Sequence, residues 1–376
     1  MPTKTKLLQK ISLLLLSFTL ITCTDPVKPD YQFMDGLIYV DAFIGTTEGS
    51  SYATIKKSVI NQYYYKNVFV DGATVYFVNA DSKEKIQLLE ESSHYLPPSD
   101  FKGELNESWF LEVNLSNGKQ YLSEIETINP SVPIKELKAT YNKQLEFSED
   151  YDKYVPGHEI LITFDDPENQ TNYYYWQFKT YDKVQICKIC NFGYYRNGCI
   201  GFETITPGKP EYYTYWCDSD CWQLDYGNKI QIFTDKFSNG TTTTSLPIAN
   251  ILLNRKTKVL VEIQQFSLTP KAYNYYRTIK DLIDNNGGFN APLPAALIGN
   301  MYNPQDSNEY VLGRFTATSA TTTTIMIDRT MITESSLEPQ IIPSQESDPA
   351  PKPYVYTAPC VESRHRTTIK PEGWIE

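Results

Sequence analysis

The feature that most constrains this chain is its first stretch, residues 1–30, and within it Cys23. Lys4, Lys6 and Lys10 make a basic start. Residues 11–21 continue as an apolar run whose only hydroxyls are Ser12, Ser17 and Thr19, and then comes Leu20-Ile21-Thr22-Cys23. A basic region, a short apolar run and a cut site, in that order, mark a bacterial secretory signal. The run is well short of the roughly 20 residues a membrane-spanning helix needs, which sets a transmembrane anchor aside. A cysteine at the cut makes this a lipoprotein signal, because the thiol takes a diacylglycerol and becomes the mature N-terminus. Thr22 departs mildly from the Gly, Ala or Ser usual before such a cysteine. Residues 1–22 therefore read as a signal peptide. Residues 23–35 read as a lipidated tether, kept stiff and polar by Pro26 and Pro29. Each buried methylene contributes about 0.8 kcal/mol, so several acyl chains together give stable anchoring. The rest of the chain must be a water-soluble structure held at a membrane. Asp25 and Asp30 form a weak version of the acidic tract that favours cell-surface exposure on the outer membrane.

Cysteine usage agrees with export. Besides Cys23 there are six: Cys187, Cys190, Cys199, Cys217, Cys221 and Cys360. An even count in an oxidising compartment reads as up to three disulfides, with fifteen connectivities open. The rival is zinc, since Cys187-x-x-Cys190 and Cys217-x-x-x-Cys221 have usable thiolate spacing. Past a signal peptide the disulfide reading is preferred, and no metal is expected.

The 376 residues suffice for two domains with ample core. A net charge of −11 with no basic stripe argues against nucleic acid as a partner. Short β-branched and aromatic runs, broken by Gly, Pro, Asn and Asp, have the pattern of antiparallel sandwiches rather than of βαβ units. The expectation is a mainly β fold of two β-sandwich-like domains, the first of them immunoglobulin- or fibronectin-like. Residues 36–133 make the first domain, opening on a strand that puts Ile38, Val40, Ala42 and Ile44 on one face. Further strands are expected at 53–59, 73–79, 109–115 and 120–128, with Asn117-Gly118 as a two-residue hairpin turn. Residues 134–332 make the second domain. Tyr173 to Trp176 read as an aromatic core strand, and residues 183–225 as a Cys- and Tyr-rich insertion, irregular between Cys187 and Cys221. One helix is expected over 270–285, capped by Thr269 with Pro270 at its first position. Its apolar face would carry Ala272, Tyr275, Tyr276, Ile279, Leu282 and Ile283. Residues 333–376 read as an extended tail, Pro-, Ser- and Glu-rich at first, from which Cys360 must return if the cysteines pair.

An enzyme needs convergent polar groups, and these are hard to find. His94, His158 and His365 are scattered, and there is no nucleophile elbow, no metal-binding His-Glu-x-x-His and no phosphate loop. The carboxylate pairs Asp165 with Asp166, Asp150 with Asp152 and Asp218 with Asp220 read as turn residues of an acidic protein. The sequence thus points to a non-enzymatic chain with no cofactor. Tyr194, Tyr195, Tyr212, Tyr213, Tyr215 and Trp216 are the binding candidates, because exposed Tyr and Trp offer large area at small entropic cost to a glycan, a peptide or a protein partner.

Several stretches resemble a family of Bacteroidota outer-membrane lipoproteins catalogued as domain of unknown function 4249. The resemblance is carried by Val40-Asp41-Ala42-Phe43-Ile44, by Asn117-Gly118-Lys119-Gln120-Tyr121-Leu122-Ser123, and by Cys221-Trp222 with residues 230–235. Its most specific part is Leu268-Thr269-Pro270-Lys271-Ala272-Tyr273-Asn274-Tyr275-Tyr276 followed by Gly287-Gly288-Phe289, Ile298-Gly299-Asn300-Met301 and Val311-Leu312-Gly313-Arg314-Phe315. Family members often carry a cysteine pair before a closing Lys-Pro-x-x-Trp; here Cys360 stands alone before Lys370-Pro371-Glu372-Gly373-Trp374. The resemblance implies a surface lipoprotein found with an outer-membrane β-barrel, specifically a TonB-dependent transporter, and it implies no reaction.

Overall fold

The computed structural model describes residues 35–61, 64–168, 170–191, 193–195, 197–201, 212–284, 297–338 and 357–376. Cys23, the expected signal and most of the expected tether lie outside these residues. The fold is mainly β, with one described helix, and it builds two sandwich-like units.

The first unit is an eleven-stranded sheet. Its strand Ile38–Ile44 buries Ile38, Val40, Ala42 and Ile44, as period-two alternation requires. Ser108–Asn114 does the same with Trp109, Leu111 and Val113. These side chains meet Ile55, Val75, Phe77, Tyr121 and Phe315 in one continuous core. The Asn117-Gly118 turn is one residue longer than the sequence suggests. Leu115 and Lys119 face each other across Ser116, Asn117 and Gly118, and Gly118 alone takes positive φ (+86°). That is the three-residue hairpin, in which a single glycine supplies the left-handed step.

The first unit does not end with residue 133. Met301–Tyr302 pairs with Gln120–Ser123 at one end of the sheet, and Val311–Ala317 lies parallel to Ile38–Ile44 at the other. The Asn300 side chain bonds both the N–H and the carbonyl of Phe315, each at 2.9 Å, so the sheet curls until its ends meet. Gly313 permits the approach: it sits at φ +91°, and a Cβ there would lie 1.9 Å from the carbonyl oxygen of Val40. Local patterning assigns these strands to residues 134–332, because it cannot report a pairing made across most of the chain.

In the second unit a three-stranded sheet of Ile134–Ser148, Lys153–Asp165 and Thr242–Leu252 faces a seven-stranded one. The larger sheet includes Ser319–Asp328, Lys258–Ser267, Tyr173–Asn191 and Tyr212–Tyr226. Ile160, Ile162 and Phe164 pack between the sheets against Tyr174, Trp176, Val261 and Ile263, so the aromatic strand is core as expected.

The helix Pro270–Asp284 sits at the joint between the units. Thr269 caps it, its Oγ1 accepting from the Ala272 N–H at 3.2 Å. Ala272, Tyr273 and Tyr275 are buried, while Ile283 is exposed. The seat takes two faces of the first turn rather than one long stripe, because it is a wedge between Phe43 of one unit and Tyr175 and Phe266 of the other. The cap expected at Asn286-Gly287-Gly288 lies outside the described residues.

The end of the tail is not extended. Thr357–Ala358 and Arg366–Thr367 both pair with Tyr212–Tyr226, and Trp374 is buried against Trp222 and Leu260. A tryptophan and a cross-link outweigh the polar composition that precedes them.

Candidate functional site

The expected irregular insertion is a β-ribbon. Tyr173–Asn191 and Tyr212–Tyr226 run antiparallel far beyond the sandwich, from the Lys179–Tyr226 pair out to Asn191–Tyr212. At the tip Gly193–Tyr195 pairs with Cys199–Gly201. Backbone pairing needs no apolar alternation, so a stretch rich in Cys, Tyr and Lys still makes a strand once its edges are covalently held. Between the Val184–Cys221 and Ile186–Trp216 pairs the second strand carries extra residues and bulges.

The six cysteines join as Cys187–Cys217, Cys190–Cys199 and Cys221–Cys360. The first pins the bulge, the second closes the tip, and the third ties the returning chain end to the ribbon. The sulfurs of Cys187, Cys217 and Cys221 lie within 4.8 Å of one another, which is why their spacing also suits zinc. Each is spent in a disulfide, and a disulfide offers no thiolate to a metal.

The aromatic candidates divide. Tyr215 is 5% exposed and packs among the cysteines with its ring 5.9 Å from Tyr195. It is core, not an exposed anchor, because it points into the apolar cluster that the ribbon's cysteines form. Its neighbour Trp216 faces the other way and is 43% exposed. Tyr194, Tyr212 and Tyr213 lie on the ribbon strands, with their side chains outside the description.

Beside the base of the ribbon lies an open cleft of about 1120 Å³. One wall is residues 183–189 of the first ribbon strand, all seven of them, with Trp216 alongside. Residues 255–258, Thr330, Ser335, Ser336 and Glu338 also line the cleft, as do Gln223, Arg366, Trp374 and Glu376. Cations gather here in a chain of negative net charge. Lys183 pairs with Asp220 at 3.0 Å and Glu376 at 3.4 Å, and Arg255 with Glu338 at 2.7 Å. Arg366 donates to the Cys187 carbonyl at 2.8 Å. Lys188 and Lys256 also line the cleft and form no ion pair among the described residues.

The carboxylate pairs are dispersed into structural tasks. Asp165 is exposed and holds Lys135 at 3.0 Å, whereas Asp166 is buried and accepts from the Tyr174 hydroxyl and from the Gly240 N–H. Asp218 accepts from the Cys360 N–H at 3.2 Å, and Asp152 sits in a turn at φ 48°. His94 meets the Ser92 carbonyl, His365 lies beside Tyr226, and His158 is buried against Tyr141. No two of them join in one constellation.

The ionic groups missed from sequence are buried ones. Arg314 pairs with Glu126 where both side chains are almost fully enclosed, 4% and 2% exposed. Glu126 also accepts from the Thr269 hydroxyl at 2.8 Å, which couples the pair to the helix cap. Burial pushes the Glu126 carboxyl up, opposed by the Arg314 charge. In the second unit Arg329 pairs with the buried Asp182 and donates to the Thr257 carbonyl. An arginine inside an apolar strand run, as in Val311-Leu312-Gly313-Arg314-Phe315, was the available signal.

These features define a class: a β-rich chain of two sandwich-like units whose disulfide-stapled ribbon projects beside a basic cleft. The chain belongs to the family described as Domain of unknown function (DUF4249), whose profile matches residues 24–324. No curated protein and no solved structure matches it. Among the described residues no helix is long and apolar enough to cross a membrane.

Proposed function

We propose that this chain is a surface-anchored outer-membrane lipoprotein of Bacteroidota type, acting without catalysis as an accessory, binding subunit of an outer-membrane β-barrel, a TonB-dependent transporter. The observation that carries this reading is the join between signal and family. The family match begins at residue 24, directly after the cysteine that lipoprotein processing makes the mature N-terminus. A projecting, cross-linked ribbon with Trp216 exposed suits docking, because a rigid element loses little entropy on binding. The test is affinity isolation of the detergent-solubilised protein from its native membrane. A barrel should come with it in near-stoichiometric amount, and recovery of the lipoprotein alone, under conditions that keep comparable complexes intact, refutes the reading.

A second reading is a free-standing glycan- or peptide-binding module. It is favoured by Trp216 standing beside an open cleft. Glycan and peptide panels with Trp216→Ala and Tyr213→Ala separate the two readings. Ligand binding indifferent to both substitutions counts against it.

A further inference from the structure

We propose that the cleft beside the ribbon receives an extended acidic peptide segment, which adds as a strand to the open edge of residues 183–189. The proposal deepens the binding role above by giving the chemistry of what is bound.

The backbone supplies the first argument. Strand Tyr173–Asn191 has a neighbour on each side as far as Asp182, where Lys258–Ser267 ends its pairing at Val259. Beyond that point residues 183–189 pair on one side only among the described residues, with Tyr212–Tyr226. Residues 255–258, where Lys258–Ser267 begins, line the cleft together with all seven residues from Lys183 to Ile189. A run of consecutive residues along a wall is a strand seen edge-on, since a face would show alternate residues only. Such an edge presents N–H and C=O groups for strand addition, the Cys187 carbonyl excepted, which already accepts from Arg366.

Charge supplies the second. Lys183, Lys188, Arg255, Lys256, Lys258 and Arg366 line the cleft against the carboxylates of Glu338 and Glu376, in a chain of net charge −11. Cations in a concave site focus a positive field on what enters it. Lysine and bulges are also the ordinary means of guarding an edge, and both are present here. They guard against a second copy of the same edge, which would set lysine against lysine. An acidic strand meets the opposite: each carboxylate finds a cation already in place. Trp216 and Ile189, both exposed, give the alternate side chains of such a strand apolar surface. An acidic saccharide would use the charge and the indole but not the backbone edge, which is why the peptide is the better match.

The test uses the full-length, detergent-solubilised protein with its disulfides intact and no barrel present, so failure to find a barrel partner leaves it unaffected. The probes are a short peptide alternating Glu and Val, its Lys/Val counterpart, the Glu/Val peptide N-methylated at alternate residues in either register, and polygalacturonate. The Glu/Val peptide should bind and slow amide hydrogen exchange within residues 183–189. N-methylation in one register should weaken binding by about tenfold or more, because it removes the pairing donors. Lys188→Glu with Lys256→Glu should abolish binding of the Glu/Val peptide and admit the Lys/Val one. Both lysines form no ion pair among the described residues, so the double variant should keep its fold. Absence of binding, unchanged exchange at 183–189, equal affinity of both N-methylated forms, or tighter binding of polygalacturonate would each overturn strand addition.

Discussion

The first unit and the ribbon solve the same problem by opposite means. The first unit contains no disulfide and encloses a continuous core running from Val40 through Phe77 and Leu111 to Phe315. The ribbon's own cluster is small and made mostly of sulfur: Cys187, Cys190, Cys221 and Cys360, with Tyr215 and Ala358. A two-stranded projection cannot bury enough apolar surface to offset the entropy of ordering it. Cross-links act on the unfolded chain instead, so they stabilise where a core has no room. The lesson concerns surface. A ribbon held by covalent bonds can leave Trp216 exposed and, among the described residues, residues 183–189 paired on one side only, whereas a unit held by burial must cover what it has.

The comparison breaks most sharply at Arg314. Arg314→Ala leaves the enclosed Glu126 without its counter-charge, and should cost about 3–5 kcal/mol in denaturant unfolding. Phe77→Ala, which empties the middle of the first core, should likewise cost about 3–5 kcal/mol. Neither should change the yield of intact disulfides on non-reducing gels. Cys221→Ser with Cys360→Ser should cost about 2–4 kcal/mol and act locally. Limited proteolysis should then remove residues 357–376 while exchange protection in Ile38–Ile44 persists. Survival of the chain end in that variant would mean that Trp374 alone holds it. Thr269→Ala removes the helix cap and one donor to Glu126, and should cost about 0.5–2 kcal/mol.

The smallest effect is expected from acid. His158 is buried, its Nδ1 has no hydrogen-bond partner among the described residues, and burial, with Arg329 nearby, holds its pKa below the ordinary 6.5. A depressed pKa means that the unfolded chain binds the proton first. The contribution of neutral His158 is therefore complete above pH 6.5 and is lost as pH falls through the folded value. His158→Gln should flatten that limb of the stability profile of the second unit, and an unchanged slope would point to another group.

What could be read in the sequence was what is local. Alternation at Ile38, Val40, Ala42 and Ile44, or at Trp109, Leu111 and Val113, is a property of one strand and shows without its partners. The Thr269-Pro270 helix start is local too. The parallel pairing of Val311–Ala317 and the return of Trp374 depend on chain segments far apart, so no window of residues contains them. The same division runs through the site. Six cysteines in an even count announced cross-links, but pairing is geometry. Tyr215 and Trp216 look alike in sequence and face opposite sides of one strand. Residues that carry the resemblance to the family, among them Thr269, Asn300, Gly313 and Arg314, turn out to join helix, sheet end and sheet end. They mark the seam of the fold.

That seam has a consequence for how the protein is made. A ribosome releases Ile38–Ile44 almost at once, yet its neighbour Val311–Ala317 comes only after most of the second sandwich has been synthesised. The unit begun first therefore stays incomplete until residue 317 is made, and its opening strand waits with one side uncovered through most of translation.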